Sequence, residues 1–328
     1  MRLMTLCVLV LLSVATASTR GEVSFEWVEV GDPGNPAHAS GFGGVDRPFR
    51  IAKHEVTNAQ YVAFLNAVDP QGTNTRSLWV DGVMNSGRGG IMQDTSRPTG
   101  QRYVLRPSFS DKPVLGIDFF RAMRFVNWLH NGQGSGDTEA GVYAITDGVS
   151  ETRATDARYF LPNTDEWGKA AYFEPGASGD GYWNYATRSD ATPTPAKATD
   201  VPGPRRGSIT NPGPNVANFD RTANWFGAES GNVTTVGSAD DPDTQTIESA
   251  SYYGTFDQSG NVWEWTESVN EAGDGRNRRG GAFADTSPFQ LRIVQSKVFA
   301  KPDADRNAVL LFTGFRVAAP ADRDAERP

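Results

Sequence analysis

The chain has 328 residues, with 31 Lys and Arg against 39 Asp and Glu, for a formal charge of −8. An acidic surface repels phosphate backbones, which argues against nucleic acid as a partner. With 35 Gly and 20 Pro, a loop-rich fold is expected, whose order comes from a packed aromatic core and from any bound cations.

Residues 1–17 join Arg2 to an apolar run from Leu6 to Val14 and an Ala15-Thr16-Ala17 end, the pattern of a secretory signal peptide cleaved after Ala17. The run is too short to span a bilayer and no later stretch is apolar enough. The expectation is a secreted or periplasmic protein without a membrane anchor, whose residues 24–319 form one domain followed by a polar tail at 320–328. Cys7, the one cysteine, lies inside the signal. Disulfides, thiolate nucleophiles and Cys-ligated metals are therefore excluded from the mature chain.

Ser24 to Val30 reads as an opening strand, ended by Asp32-Pro33-Gly34-Asn35-Pro36, and Arg50 to Val56 as a second. Thr57 and Gln60 have capping-box spacing, and Tyr61, Phe64, Leu65 and Val68 make the apolar stripe of a first helix stopped by Asp69-Pro70. Residues 71–112 are loop-like, with a hairpin expected between Gly90–Met92 and Arg102–Leu105. Asp118 caps a second helix with Ala122, Phe125, Val126 and Leu129 inward. Val142 to Ile145 before Asp147-Gly148 suggests a small hairpin. Asn163 and Glu166 cap a third helix that turns Trp167, Ala170 and Ala171 inward. Tyr182, Trp183 and Tyr185 interrupt a Pro- and Gly-rich stretch, either to stack on a ligand or to pin the loop to the core.

The run Gly254 to Trp265, GTFDQSGNVWEW, sits at the centre of the pattern. Trp263 and Trp265 project to one face of a strand and Glu264 to the other. Asp257, the carbonyls of Gly260 and Val262, and Glu264 can form an all-oxygen site for a hard cation such as Ca²⁺; a turn followed by a surface glutamate fits the spacing equally well. Paired arginines at 278 and 279 read either as contacts for an anionic group or, as is commoner beside glycines, as a solvated strand edge, and Arg316, in the closing strand TGFRVAA, as the partner of a buried carboxylate.

Six stretches, taken in order, resemble the formylglycine-generating enzyme or sulfatase-modifying-factor family. They are IAKHEVTNAQYVAFLN (51–66), PVLGIDFFRAMRFVNWL (113–129), YFLPNTDEWGKAAYF (159–173), GNVWEW (260–265), RRGGAFAD (278–285) and TGFRVAA (313–319). The resemblance implies an α+β, loop-rich, C-type-lectin-like fold with small antiparallel sheets and about three helices. It also implies structural Ca²⁺, with a second site at Asp257, Gly260, Val262 and Glu264 and a first site begun by Asn218 and Phe219.

In formylglycine-generating members, two cysteines after the paired glycines bind copper and oxidise a substrate cysteine. In register from Gly280 and Gly281, those positions are Asp285 and Gln290. Neither is a soft ligand, so the resemblance does not carry copper or thiol chemistry to this chain. Iron stays open, although His38, His54 and His130 have no ligand spacing. Asp285 is the one catalytic candidate, as general base or holder of a cationic group, against the reading that it caps a turn. The expected function is a ligand- or substrate-binding member holding an exported peptide, glycan or small molecule. The alternatives are a cysteine-independent oxidative maturation enzyme, as in pyoverdine maturation, and, third, formylglycine generation on sulfatases.

Overall fold

A computed structural model describes residues 22–177, 179–240, 249–295, 297–300 and 310–321. The signal peptide expected at 1–17 and residues 322–328 of the expected polar tail lie outside the described residues.

Strand β1 (Trp27–Val30) pairs antiparallel with β2 (Phe49–Ala52), with Val30 opposite Phe49. Helix α1 (Asn58–Val68) starts where Thr57 accepts from Gln60 N and the Gln60 side chain answers to Thr57 N at 2.9 Å, the expected capping box. A single-turn helix, α2 (Asp81–Met84), lies in the long loop, where four residues are too few to show an apolar stripe. The hairpin of β3 (Ile91–Gln93) and β4 (Tyr103–Leu105) forms as expected. Helices α3 (Phe119–His130) and α4 (Thr164–Tyr172) start at Asp118 and Asn163, whose side chains accept from Arg121 N and Glu166 N. Short strands β5 (Thr194–Pro195) and β6 (Val216–Ala217) pair parallel. Then come β7 (Trp263–Val269), β8 (Gly275–Arg279), β9 (Lys297–Ala300), β10 (Thr313–Gly314) and β11 (Ala318–Pro320).

The strands form a β1-β2-β11 sheet and a β10-β7-β8-β9 sheet besides the two small pairs. The α+β, loop-rich character is as expected. The pairing is less uniform than expected, because β10 runs parallel to β7, placing Thr313 opposite Trp263. That arrangement lets residues 313–320 serve both larger sheets, since Ala318 also pairs with Ile51 of β2.

The core is built on the faces of α1 and α3. Phe64 meets Phe125 at 5.4 Å between centroids, Phe125 meets Phe315 at 5.3 Å, and Phe119 meets Trp265 at 5.8 Å. Each such ring removed from water contributes about 2–3 kcal/mol.

The hairpin expected at Val142–Ile145 does not form. Its polar backbone is satisfied by other backbone segments, with Ile145 N donating to Glu139 O and Val142 O accepting from Ala154 N, and by side chains. Asn127 of α3 donates Nδ2 to the Thr138 and Tyr143 carbonyls and accepts from Tyr143 N, while Glu151 accepts from Thr146 N and Gly148 N. With those groups paired, no partner strand is needed.

Candidate functional site

The turn before β7 is the crossing point of the fold. Asp257, Gly260 and Asn261 all take positive φ, at 63°, 104° and 58°. Gly260 has no alternative, since a Cβ there would sit 2.4 Å from the Asn218 carbonyl oxygen. Gly260 N donates to Gly280 O at 2.8 Å, Asn261 N to Asn218 O at 2.8 Å, and Phe283 N to Asn261 O at 2.9 Å. The backbone therefore brings three distant segments together, around 218, 260 and 281.

Glu264 is not the surface glutamate that spacing alone allowed. It is fully buried and gripped by Arg316, with Nε to Oε2 at 2.6 Å and Nη2 to Oε1 at 2.7 Å, and Trp167 Nε1 adds a bond at 2.8 Å. The expected carboxylate partner of Arg316 is thus Glu264 itself. Burial works against the Arg316 charge, and the Glu264 carboxylate more than offsets it, so its pKa lies above the ordinary range. Arg316 also donates to the Ala52, Lys53 and Phe256 carbonyls, tying β2 and the central turn to the closing segment.

Two further carboxyls face this pair. Asp257 accepts from Gly237 N at 2.6 Å, and burial pushes its carboxyl up to about 6. Glu55 is a site residue that the sequence did not single out. It is buried, accepts from Asn261 Nδ2 at 3.1 Å through Oε1, and leaves Oε2 without a hydrogen-bond partner. Burial, then the nearby Asp257 and Glu264, push the Glu55 carboxyl well above the usual range. Three carboxyls thus surround one guanidinium, a surplus of negative charge that a proton or a hard cation must balance.

Asn218 is held by its nitrogen. Nδ2 donates to Asn232 O, Thr234 Oγ1 and Asn261 Oδ1 at 3.0, 3.2 and 3.1 Å, while Oδ1 is buried without a partner. The Phe219 carbonyl accepts from Thr222 Oγ1, and its ring packs with Tyr185 and Leu291. Val262 is buried with Phe283 and Leu115. Among the described residues, no three His, Cys, Asp or Glu side chains form a ready metal cage. Any cation here relies on carbonyl and amide oxygens as well.

The segment after the paired glycines is stitched down. Asp285 Oδ2 accepts from Ala282 N at 2.9 Å, and its carbonyl accepts from Asp220 N at 2.8 Å. The Asp285 side chain thus caps a turn at Ala282 N. Gln290 follows on a 3₁₀ turn, Pro288–Leu291, with Oε1 buried and unpartnered.

The arginines at 278 and 279 correct the sequence reading, for both are buried, at 2 % and 0 % exposure. β8 lies between β7 and β9, so what read as an edge is an interior strand. Tyr182 and Tyr185 are buried and Trp183 donates Nε1 to Glu174, which makes them anchors of their loop.

The profile of the sulfatase-modifying factor enzyme 1-like domain matches residues 19–321. No curated protein sequence matches the chain. Among solved structures, Treponema denticola variable protein 1 aligns over 92 % of this chain and 96 % of its own, at 15 % identity and a TM-score of 0.50. CarF aligns over 91 % and 99 %, at 19 % identity and a TM-score of 0.49. PvdO from Pseudomonas aeruginosa aligns over 90 % and 91 %, at 16 % identity and a TM-score of 0.41. Identities this low speak to fold alone.

Proposed function

The chain belongs to the sulfatase-modifying factor enzyme 1-like family, and from that premise we propose that it is an exported ligand- or substrate-binding member, stabilised by Ca²⁺, that works without thiol oxidation. One observation carries the reading. The two positions where the resemblance puts redox cysteines hold Asp285 and Gln290, and the Asp285 carboxylate is spent on capping Ala282 N. A carboxylate used as a turn cap and an amide offer neither a Cu(I) ligand pair nor a thiol for disulfide exchange.

The buried polar groups fit a hard divalent cation. Glu55 Oε2 and Asn218 Oδ1 are buried oxygens without donors, and because Arg316 is already committed to Glu264, the Asp257 and Glu55 carboxyls are left to a proton or a cation. Asp257 with the Gly260 and Val262 carbonyls would hold the ion of the second site, and Asn218 with Phe219 would begin the first. Glu264 has three of its acceptor positions filled and would contribute least. The ion supplies fixed positive charge; this chain's residues supply the knot that joins segments 218, 260 and 281.

The test is elemental analysis and thermal denaturation of the full mature chain purified without chelator. Bound Ca²⁺, a lower Tm in EGTA and recovery on adding Ca²⁺ are the expected results. Asp257→Asn should lose most of that response, and a variant that keeps it whole overturns the second-site assignment. Stoichiometric iron or copper in place of calcium, with oxygen uptake, would overturn the non-oxidative reading.

A further inference from the structure

Among the described residues, Arg279 is a fully buried guanidinium with no carboxylate hydrogen-bonded to it. Arg153, Arg276 and Arg316 each pair with a carboxylate. Arg279 is fully buried, donates from Nη2 to the Ile293 carbonyl, and leaves Nε and Nη1 without hydrogen-bond partners. Leaving such N–H groups dry and unpaired costs a few kcal/mol, as a rough figure. A fold tolerates that cost where a ligand completes the set.

The surroundings of Arg279 lead to a cavity. Asn277 and Arg279 lie two apart on β8 and share a face of the strand. Asn277 lines an open cavity of about 740 Å³ together with Phe42, Thr164, Asp165, Val269 and Val294, within the range of small-molecule sites. Phe42 lies over the Arg279 guanidinium, 4.7 Å from ring centroid to Cζ, and so separates it from this space. Ile293, which takes the one hydrogen bond of Arg279, directly precedes Val294. Arg279 thus forms the layer behind the cavity wall.

The wall carries apolar, acidic and neutral polar groups, with Glu271 a second carboxylate besides Asp165. Val269 and Val294 are 40 % and 39 % exposed, two of the few large apolar side chains left in water. Asp165 accepts from Gly43 N through Oδ1 and lies near enough to Arg279 for each to feel the other's charge, without forming an ion pair. Thr164 and Asn277 supply neutral polar groups.

We propose that this cavity binds a small aliphatic α-amino acid. Its carboxylate reaches Arg279 once the Phe42 ring rotates aside, its ammonium faces Asp165, and its side chain covers Val269 and Val294. An adjacent anion and cation on the ligand match an adjacent cation and anion on the protein, and neither a simple carboxylate nor a simple amine satisfies both. The inference gives a ligand class to the binding reading above and rests on it.

Calorimetric titration of the full mature chain with L-leucine, 4-methylpentanoate and leucinol tests it. Leucine should bind, and the analogues lacking the ammonium or the carboxylate should bind at least about tenfold more weakly. Asp165→Asn should bring leucine down to the level of 4-methylpentanoate, and Arg279→Gln should abolish its advantage over leucinol. Because Arg279→Gln removes a buried side chain and can fail to fold, Phe42→Ala provides the second arm. It uncovers the guanidinium, and leucine should associate faster with it than with the parent protein. Leucinol binding as tightly as leucine, or no heat from any of the three with either the parent or Phe42→Ala, overturns the proposal. If the calcium response persists in that protein, only the amino-acid site has failed.

Discussion

A buried carboxylate can be neutralised by a guanidinium, a proton or a metal ion, and the residues around Arg316 divide these solutions among them. Glu264 takes the guanidinium, and Asp257 and Glu55 are left to the other two. His54, next to Glu55, is driven the opposite way: burial first, then Arg316 and Lys53, lower its imidazole to about 4. A histidine depressed in the folded state makes the protein lose stability as pH falls from its ordinary value toward 4, by about 3 kcal/mol. A carboxyl raised to about 6, as Asp257 is, makes it lose stability as pH rises between about 4 and 6, again by about 3 kcal/mol. Without metal the two trends oppose, and Glu55 adds to the second. A bound cation takes the place of the proton and removes the carboxyl contribution. Urea midpoints should therefore climb from pH 4.5 to 6.5 in Ca²⁺ and stay level or fall in EGTA. Parallel profiles in the two buffers would contradict this account.

Individual elements differ in how far they could be read from sequence, and the difference is one of range. The starts of α1, α3 and α4 were legible because a cap and its partner lie within three residues, as in Thr57 with Gln60 and Asn163 with Glu166. Thr57→Ala and Asn163→Ala should each cost about 1 kcal/mol in denaturant unfolding. Gly260→Ala should cost more, several kcal/mol as a rough figure, since it adds a Cβ against the Asn218 carbonyl at positive φ. A midpoint unchanged by that substitution would mean that the turn relaxes freely. The role of Glu55 was not legible, because its partner Asn261 lies 206 positions away. Nor was the burial of Arg278 and Arg279, which depends on β7 and β9 flanking β8 on both sides. The fold was readable from six ordered stretches, whereas the site depended on contacts between them.

Across the whole molecule, family membership and chemistry separate. The domain spans residues 19–321, and the one cysteine of the chain, Cys7, lies outside it. Incubated aerobically with copper and a cysteine-containing sulfatase peptide, the mature protein should leave the peptide cysteine unchanged and consume no oxygen; conversion by mass spectrometry would restore the oxidase. The β10–β7 and β11–β2 pairings, with Arg316 between them, have a consequence for biosynthesis. Residues 49–52 and 263–264 obtain these partners from 313–320. A nascent chain that has left the ribosome only as far as residue 312 carries Glu264 with no guanidinium and β2 with one edge bare. Native pairing of β2 and β7, and neutralisation of Glu264, are therefore held back until residues 313–320 have left the ribosome, so that residues made about 260 positions earlier wait, incompletely paired, for the segment that closes them.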